Sequence, residues 1–280
     1  MQHRIISKQR QRISNTFVIE RNGERYFMKQ YFKSCPKKLI KTEYEKHLKI
    51  YNLLRNNKKV RTVKPLELNL GQRYVVFEYL PEFIEFKTFF IRNNNIFYVT
   101  KKVRNACIEI TKAIAYIHEN LKYKQFSKFK YDKIKDDILV PILSDICNSN
   151  ILFSKDKIYL VDFSPTPTMY SVDTCNMLSH YYLDLAHLIY SYELPPIYQW
   201  PIYRHNFKFY EDIIVETYLK YRKKAKFNRR NLLYAKEYYL RRYLISVRKS
   251  KYTGKIWKCI IKRQLKKIRM ELGNRNEERL

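Results

Sequence analysis

Residues 144–164 read SDICNSNILFSKDKIYLVDFS, and they place three polar residues, Asp145, Asn150 and Asp162, among short apolar runs. The runs Ile-Leu-Phe and Ile-Tyr-Leu-Val are rich in β-branched and aromatic residues, so they predict two brief strands on either side of a turn. The polar residues are therefore either ordinary loop positions or the acidic centre of a catalytic site. The rest of the chain bears on that choice.

The composition is that of a globular protein. Of the 280 residues, 45% are hydrophobic and 16% aromatic, with only four glycines and nine prolines. Disordered and fibrous chains do not have this balance. The length is sufficient for one large domain or for two lobes.

The charge is strongly positive and unevenly distributed. Fifty-seven Lys and Arg residues stand against 26 Asp and Glu, a net charge of +31, and between Lys220 and Met270 the only acidic residue is Glu237. Such a surface attracts polyanions, which include nucleic acid, acidic lipid head groups and phosphorylated substrates. A lysine-biased genome is the alternative explanation.

The cysteines and the apolar runs indicate a cytoplasmic protein. Five widely spaced cysteines without a CxxC pair argue against a disulfide framework or a thiolate zinc site. No apolar run approaches the roughly 20 residues that span a bilayer, and the N-terminal MQHRIISKQRQR lacks the apolar core of a signal peptide. We therefore expect the protein in the cytoplasm, where its charge would allow peripheral contact with the inner face of the membrane.

The first third of the chain carries strand signals around one helix. Two β-rich runs about Asn22-Gly23 predict a hairpin over 15–32. Apolar residues at helical spacing then predict a helix over 37–55, and strands are expected at 60–69 and 72–79.

The remainder of the chain is mainly helical in pattern, after a connecting segment near 78–90. Helical periodicity predicts helices over 100–120, 177–192, 205–223, 229–249 and 255–271. We therefore expect an α+β protein with a β-rich N-terminal nucleotide-binding lobe over 1–80 and a mainly helical C-terminal lobe over 81–280.

This order of elements and the opening motif together resemble a known family. Asp145 and Asn150, with four residues between them, followed by Val161-Asp162-Phe163-Ser164, resemble the catalytic loop and metal-binding motif of the protein-kinase-like superfamily. The similarity is closest to the aminoglycoside and choline phosphotransferases and to the lipopolysaccharide core sugar (Kdo and heptose) kinases. The resemblance implies the bilobal protein-kinase-like fold.

The resemblance also implies ATP and Mg²⁺ as cofactors and a role for each residue. Asp145 would be the catalytic base, and Asn150 and Asp162 would be the metal ligands, because phosphoryl transfer needs an oriented hydroxyl and oxygen ligands for Mg²⁺. Lys29, in the run Arg-Tyr-Phe-Met-Lys, resembles the strand lysine that holds the phosphates. Glu43 is the preferred carboxylate partner of this lysine.

Further residues are assigned by the same resemblance. Ser14 and Asn15 resemble the Ser-Asn turn that these kinases use over the phosphates in place of a glycine-rich loop. Glu78 and Leu80 lie in a segment that resembles the hinge, whose backbone would bind adenine. Asp184, in a Leu-Asp-Leu-Ala run, resembles the residue that braces the catalytic loop, so we expect it to be structural. Glu45 is the alternative to Glu43 as the partner of the strand lysine.

Two positions depart from the family pattern. Leu143 stands two residues before Asp145, where most relatives carry His, so one interaction that braces the loop is missing. Ser164 replaces the usual glycine after Asp162-Phe163, which would alter the flexibility of that loop. Both changes are compatible with an enzyme that has lost part of its activity. The retention of Lys29, Asp145, Asn150 and Asp162 favours an active enzyme.

The basic C-terminal segment admits two interpretations. Trp257, Ile260, Ile261, Leu265 and Ile268 fall on one helical face among lysines and arginines, a pattern that suits the surface of an anionic membrane. The alternative is that the apolar stripe packs on the C-terminal lobe and the basic residues are its solvated side. Tyrosines among basic residues at 234–243 could stack on nucleic-acid bases, but their helical spacing favours a place in the core.

The sequence thus supports one function over two others. The favoured hypothesis is a kinase that transfers the γ-phosphate of ATP to a hydroxyl of a sugar, a glycolipid or another small molecule. A non-catalytic kinase-like protein that binds membrane or nucleic acid is the second hypothesis. An atypical protein kinase is the third, and it is disfavoured because the glycine-rich loop and an Ala-Pro-Glu segment are missing.

Overall fold

The structure is a computed structural model, and it describes residues 4–10, 13–93, 99–136, 138–147, 149–164, 176–193, 207–222, 225–247 and 254–273. The strands are β1 Arg4–Arg10, β2 Ser14–Arg21, β3 Glu24–Tyr31, β4 Val60–Arg61, β5 Pro65–Asn69, β6 Tyr74–Glu78, β7 Ile84–Glu85, β8 Ser127–Phe129, β9 Leu139–Pro141, β10 Ile151–Ser154, β11 Lys157–Leu160 and β12 Met177–His180. The helices are α1 Lys37–Leu54, α2 Phe86–Asn93, α3 Lys101–Asn120, α4 Tyr181–Glu193, α5 Phe207–Tyr221, α6 Arg229–Val247 and α7 Gly254–Glu271. The α+β class is confirmed.

The N-terminal part is an antiparallel sheet in the order β1-β2-β3-β6-β5, with α1 packed against it. The predicted hairpin is present as β2 and β3. Its turn residues Asn22 and Gly23 have φ values of 52° and 80°, which is the left-handed pair that a two-residue hairpin turn requires. The register pairs Thr16 with Lys29 and Lys29 with Val75, so Lys29 lies on a central strand.

Helix α1 buries one face that is not purely apolar. Ile40, Ile50 and Leu54 are fully buried, and burial of each such side chain contributes about 1.5–3 kcal/mol. Glu43 and Lys46 lie on the same buried face. A buried charge is costly unless it is paired or hydrogen-bonded, so these two residues point to a site beneath the helix.

The strand predicted over 60–69 divides in two. β5 pairs with β6 in the N-terminal sheet, whereas β4 pairs in parallel with β11 in a second sheet of order β4-β11-β10-β7. The strands β10 and β11 are the pair that the opening motif predicts. Their hairpin carries the Asn150 and Asp162 positions at its two ends.

One helix boundary was predicted wrongly. The helix expected from residue 177 begins at Tyr181, because Met177–His180 forms β12 between β8 and β9 in a third sheet. A short apolar run fits a strand or a helix equally well by periodicity, and here pairing on both sides selects the strand. The segment near 78–90, which was expected to be a connection, contains β7 and the beginning of α2. The sequence did not predict these two elements, nor the strands β1 and β8.

Helices α3 to α6 enclose the largest part of the core. Five tyrosines are among its most buried side chains, namely Tyr181, Tyr182, Tyr210, Tyr218 and Tyr239. Of the tyrosines in the 234–243 segment, Tyr238 and Tyr239 are buried and are core residues, with their rings against Phe129 and His187. Tyr234 is half-buried and Tyr243 is exposed, so the core interpretation holds for two of the four tyrosines.

The apolar stripe of α7 is also buried. Ile260, Ile261, Leu265 and Ile268 pack toward α6 and expose at most 7% of their surface, whereas Trp257 at the start of the stripe is half-buried. The packing interpretation therefore holds for these four residues. The basic side is exposed, at Lys258, Lys262, Arg263, Lys266 and Lys267. Among the helices of the described residues, none combines the length and the apolar character needed to cross a bilayer.

Candidate active site

Lys29 is the centre of a buried polar cluster. Its Nζ donates to Glu43 Oε1 at 2.7 Å, to Asp162 Oδ1 at 2.9 Å and to Ser164 Oγ at 2.7 Å. An ammonium group has three N–H donors, so these contacts use all of them. Burial opposes the charge of Lys29, but the carboxylates of Asp162 and Glu43 outweigh it and hold the lysine pKa above its usual range.

The structure selects between the two glutamates of α1. Glu43 lies on the buried face and contacts Lys29, whereas Glu45 faces outward, 3.9 Å from Lys41. The two positions differ because they lie two residues apart, which on a helix places them on nearly opposite faces. Glu43 Oε2 is buried and has no hydrogen-bond partner among the described residues.

Asp162 follows β11 in a constrained conformation. Its φ is 56°, in the left-handed region that non-glycine residues rarely adopt. Oδ1 accepts hydrogen bonds from the backbone N–H of Ser164 at 3.3 Å and from its Oγ at 2.5 Å. Burial opposes the charge of Asp162, but Lys29 and then Ser164 lower the carboxyl pKa below its ordinary value. Ser164, at the position of the usual glycine, thus ties the Asp162 carboxylate to Lys29.

Asp145 and Asn150 are joined through the backbone. The Asn150 Nδ2 group donates to the carbonyl oxygen of Asp145 at 3.0 Å, and Val161 N donates to Asn150 O at 2.9 Å. The first bond uses the amide nitrogen and leaves the amide oxygen as the potential metal ligand. The second ties Asn150 to the residue before Asp162, so the loop and the motif share one hairpin.

The carboxyl group of Asp145 differs from that of Asp162. Burial, and then the negative charge of Asp162, raise the pKa of Asp145 to about 7. The His187 Nε2 atom lies 3.7 Å from Asp145 Oδ1, which is too long for a hydrogen bond. Burial lowers the pKa of His187 to about 4, so this imidazole is neutral beside the carboxyl group.

Asp184 holds the backbone just before Asp145. It is fully buried, and it accepts hydrogen bonds from Leu143 N at 2.6 Å and from Ser144 N at 3.2 Å. Its Oδ2 also lies 2.9 Å from His118 Nε2, and the other nitrogen of His118 lies 2.7 Å from Tyr218 Oη. Because a carboxylate can only accept, His118 donates to Asp184 and accepts from Tyr218.

Two residues of this region escaped the sequence analysis. His118 lies on the buried face of α3 and Lys46 on that of α1. A polar residue on the apolar stripe of a helix was the available signal, because such groups are buried only when they have partners. Their partners come from distant segments of the chain, so spacing alone could not identify them.

Lys29, Glu43 and Asp162 of the polar cluster line a cleft, and Asn150 lines it with them. The rest of the lining combines apolar side chains, among them Phe27, Val63, Phe77, Leu152 and Val161, with the polar residues Thr16, His47, Glu85 and Ser149. This apolar slot beside cationic and oxygen groups matches the two parts of a nucleotide.

The other expected nucleotide-binding residues lie near the cleft with different surroundings. Ser14 is fully buried, and Ser14 and Asn15 are the first residues of β2 and pair with β3, so they form strand and not a turn. Thr16 is the residue of this strand that lines the cleft. Glu78 ends β6, and Leu80 is buried in the same apolar cluster as Phe77.

The donor set of the cleft fits Mg²⁺. Mg²⁺ is bound by one or two protein oxygen groups together with substrate phosphates and waters, and Asn150 and Asp162 offer an amide oxygen and a carboxylate on the same wall. No cluster of three His, Cys, Asp or Glu ligands occurs among the described residues.

The chain is similar to known proteins in its three-dimensional structure and not in its sequence. No protein-family model matches the chain, and no curated protein matches it in sequence. A glucosamine kinase solved with glucosamine, ADP and inorganic phosphate matches with a TM-score of 0.67 at 12% identity, over 92% of this chain and 80% of that one. A choline kinase from Streptococcus pneumoniae matches with a TM-score of 0.56 at 11% identity, over 94% of both chains.

A third match is a spectinomycin phosphotransferase solved with ADP and spectinomycin, with a TM-score of 0.54 at 12% identity over 95% of this chain and 88% of that one. These structures are all small-molecule kinases of the protein-kinase-like superfamily. At such low identity the similarity is one of fold, and on that ground this chain has the protein-kinase-like fold.

Proposed function

We propose that the protein is an ATP- and Mg²⁺-dependent phosphotransferase that transfers the γ-phosphate to a hydroxyl group of a small molecule. The observation that carries the proposal is the Lys29 cluster, in which one ammonium group contacts Glu43, Asp162 and Ser164 beside a cleft that Lys29, Glu43 and Asp162 line together with several apolar side chains. A structural ion pair alone would not require an adjacent cleft of this composition.

Each residue has a role in this proposal. The apolar slot would take the adenine, and we assign hydrogen bonding of the base to the backbone from Glu78 to Leu80, because this segment directly follows Phe77 in the lining of the cleft. Lys29, positioned by Glu43, would bind a phosphate oxygen in place of one of its present contacts with Asp162 and Ser164. Asn150 and Asp162 hold Mg²⁺, which neutralises charge on the phosphates when bound.

Asp145 orients the acceptor and receives its proton. Its raised pKa of about 7 places the group near the value that suits a general base at neutral pH. When the acceptor hydroxyl attacks the γ-phosphorus, the bond from that phosphorus to the ADP oxygen breaks and the hydroxyl proton passes to Asp145. Because His187 is neutral, it is not a counter-ion that would lower the basicity of the Asp145 carboxylate before the proton arrives.

The acceptor is proposed by class only. The solved structures of similar fold include kinases of choline, glucosamine and spectinomycin, so their acceptors range from a small alcohol to an antibiotic. We propose a sugar, a glycolipid or another hydroxyl-bearing small molecule. A cytoplasmic location fits the free cysteines Cys35, Cys107, Cys147 and Cys259 of the described residues.

Contact with an anionic membrane is a second component of the proposal, supported by the exposed basic side of α7. The apolar stripe of this helix is buried, so the contact would be electrostatic and without insertion of the helix. A glycolipid acceptor would then be presented at the surface to which the protein binds.

The test is a thermal-shift titration with ATP, with and without Mg²⁺, on the wild type and on Asp162→Asn. We expect a Mg²⁺-dependent stabilisation in the wild type that the variant loses. Asp156→Asn, a change of the same kind at an exposed turn, should behave as the wild type. The absence of any shift in the wild type would refute the nucleotide site.

A turnover assay follows with glucosamine, choline and spectinomycin as acceptors and ADP release as the signal. Nucleotide binding without ADP release for any hydroxyl compound would favour the degenerate, kinase-like binding protein.

A further inference from the structure

Lys46 is a fully buried lysine directly behind the candidate active site. It lies on α1, three residues after Glu43, and it exposes none of its surface. Its Nζ donates to Ile142 O at 3.0 Å, to Leu143 O at 3.2 Å and to Phe163 O at 3.3 Å. These three carbonyl groups match the three donors of the ammonium group.

The carbonyl groups belong to two separate segments of the site. Ile142 and Leu143 precede Ser144 and Asp145, whereas Phe163 follows Asp162 directly. One charged group therefore joins the backbone that carries the general base to the backbone that carries the metal ligand. A charge-assisted hydrogen bond is about twice as strong as a neutral one, so the junction is stiff.

Both segments contain strained backbone next to these bonds. Ser144 has a φ of 79° and Asp162 a φ of 56°. Non-glycine residues remain in such conformations only when their surroundings hold them there. Asp184 holds the first segment through its N–H groups, and Lys46 holds both segments through their carbonyl groups.

We propose that Lys46 is a positioning residue that fixes the separation of Asp145 and Asp162, and so supplies from α1 the bracing that the Leu143 side chain cannot give. The inference rests on the proposed phosphotransferase function. The same helix then positions the phosphate-binding lysine through Glu43 and the two acidic residues through Lys46.

The test compares Lys46→Met with Lys236→Met. Methionine is an unbranched side chain one heavy atom shorter than lysine, and it removes the ammonium group and its donors. Lys236 is a matched control, because it is a buried lysine of α6 whose Nζ lies 2.7 Å from Glu211 Oε2. Loss of Lys236 removes a buried ion pair away from the cleft.

The readouts are turnover with ATP and Mg²⁺ and the melting shift that ATP causes. We expect Lys46→Met to lower kcat roughly 10²-fold, because small misplacement of reacting groups has effects of this size. The Mg²⁺-dependent part of the ATP shift should shrink, while the Mg²⁺-independent part persists. Lys236→Met should lower the melting temperature and keep both kcat and the Mg²⁺-dependent shift.

The outcomes separate this inference from the proposed function. A wild type without turnover or Mg²⁺-dependent ATP binding refutes the proposed function, and the inference falls with it. An active wild type whose folded Lys46→Met variant matches Lys236→Met overturns the positioning role alone. If Lys46→Met does not fold, Lys46→Gln, which keeps two N–H donors, takes its place, and failure of both to fold would make Lys46 a stability residue and overturn the proposal.

Discussion

Asp162 lines the cleft and Asp145 lies close enough to feel its charge, and their environments shift the pKa values of the two carboxyl groups in opposite directions. Burial and the neighbouring charge of Asp162 raise the pKa of Asp145 to about 7, whereas Lys29 and Ser164 lower that of Asp162. Two titratable groups whose pKa values are driven apart are the usual basis for dividing roles in an active site. One carboxylate is thereby suited to take a proton, and the other remains a permanent anion for a metal ion.

At the scale of single residues, Asp145→Asn should lower kcat by about 10²–10⁴-fold, because it removes the proposed general base. ATP should still bind, because the change leaves the Lys29 cluster and the apolar slot intact. Steady-state kinetics and an ATP thermal-shift titration measure the two effects. Turnover equal to that of the wild type, or of the exposed control Asp156→Asn, would remove Asp145 from the mechanism.

The pH dependence should follow the ionisation of Asp145. The pKa of this carboxyl group is raised to about 7, so its basic form is scarce below that pH and dominant above it. kcat/KM, which reports the free enzyme, should rise about tenfold per pH unit up to about pH 7 and then level off. A profile that is flat between about pH 5 and 8 would contradict this assignment, because an Asp of ordinary pKa near 4 gives that profile.

At the scale of elements, helix α1 connects the sheet to the catalytic segments. It presents Glu43 to Lys29 of β3 and Lys46 to the backbone beside Asp145 and Asp162. A shift of this helix would therefore move both parts of the site at once. The brace of Asp184 and His118, on α4 and α3, holds the same loop from the other side.

Glu43→Gln should raise the KM for ATP about 10- to 100-fold, since a hydrogen bond to a charged group contributes about 1.5–3 kcal/mol and 1.4 kcal/mol is a factor of ten. Asp162 and Ser164 still hold Lys29, so binding should not be abolished. Glu45→Gln, the same change on the outer face of the helix, should leave KM unchanged. Equal effects of the two changes would show that the Glu43 contact does not position Lys29.

At the scale of the whole molecule, the net charge of +31 is spread over a protein whose apolar stripe on α7 is already buried. The basic side of this helix is therefore a surface for electrostatic contact. Each lysine near an anionic membrane contributes about 1 kcal/mol, and salt screens the attraction.

We expect binding to phosphatidylcholine vesicles only when they contain phosphatidylserine, with weaker binding at higher salt. Changing Lys262, Lys266 and Lys267 to Gln should weaken this binding strongly in a vesicle sedimentation assay. The matched control changes three exposed lysines of α1, Lys37, Lys38 and Lys41, with the same loss of charge. Equal weakening by the two triple variants would indicate general attraction without a site on α7.

Local sequence patterns were sufficient for the elements whose signals are short in range. The hairpin about Asn22-Gly23, helix α1 and the β10–β11 pair follow from turn chemistry and periodicity within a few residues. The chain order of these elements and the Asp145, Asn150 and Asp162 spacing also indicated the protein-kinase-like fold. The residues of β12 were wrongly predicted as the start of a helix. Their strand conformation depends on pairing with β8 and β9, which come from distant parts of the chain.

The sequence by itself determined the fold class, the candidate acidic residues and the polyanion-attracting charge, because composition and local spacing encode all three. Only the tertiary structure decided that Glu43 and not Glu45 meets Lys29, that the α7 stripe is buried, and that Lys46 and His118 belong to the site. Each of these rests on contacts between groups that are remote in sequence. Such contacts depend on how the helices and strands pack against one another, and the spacing of residues within one helix or strand does not specify that packing.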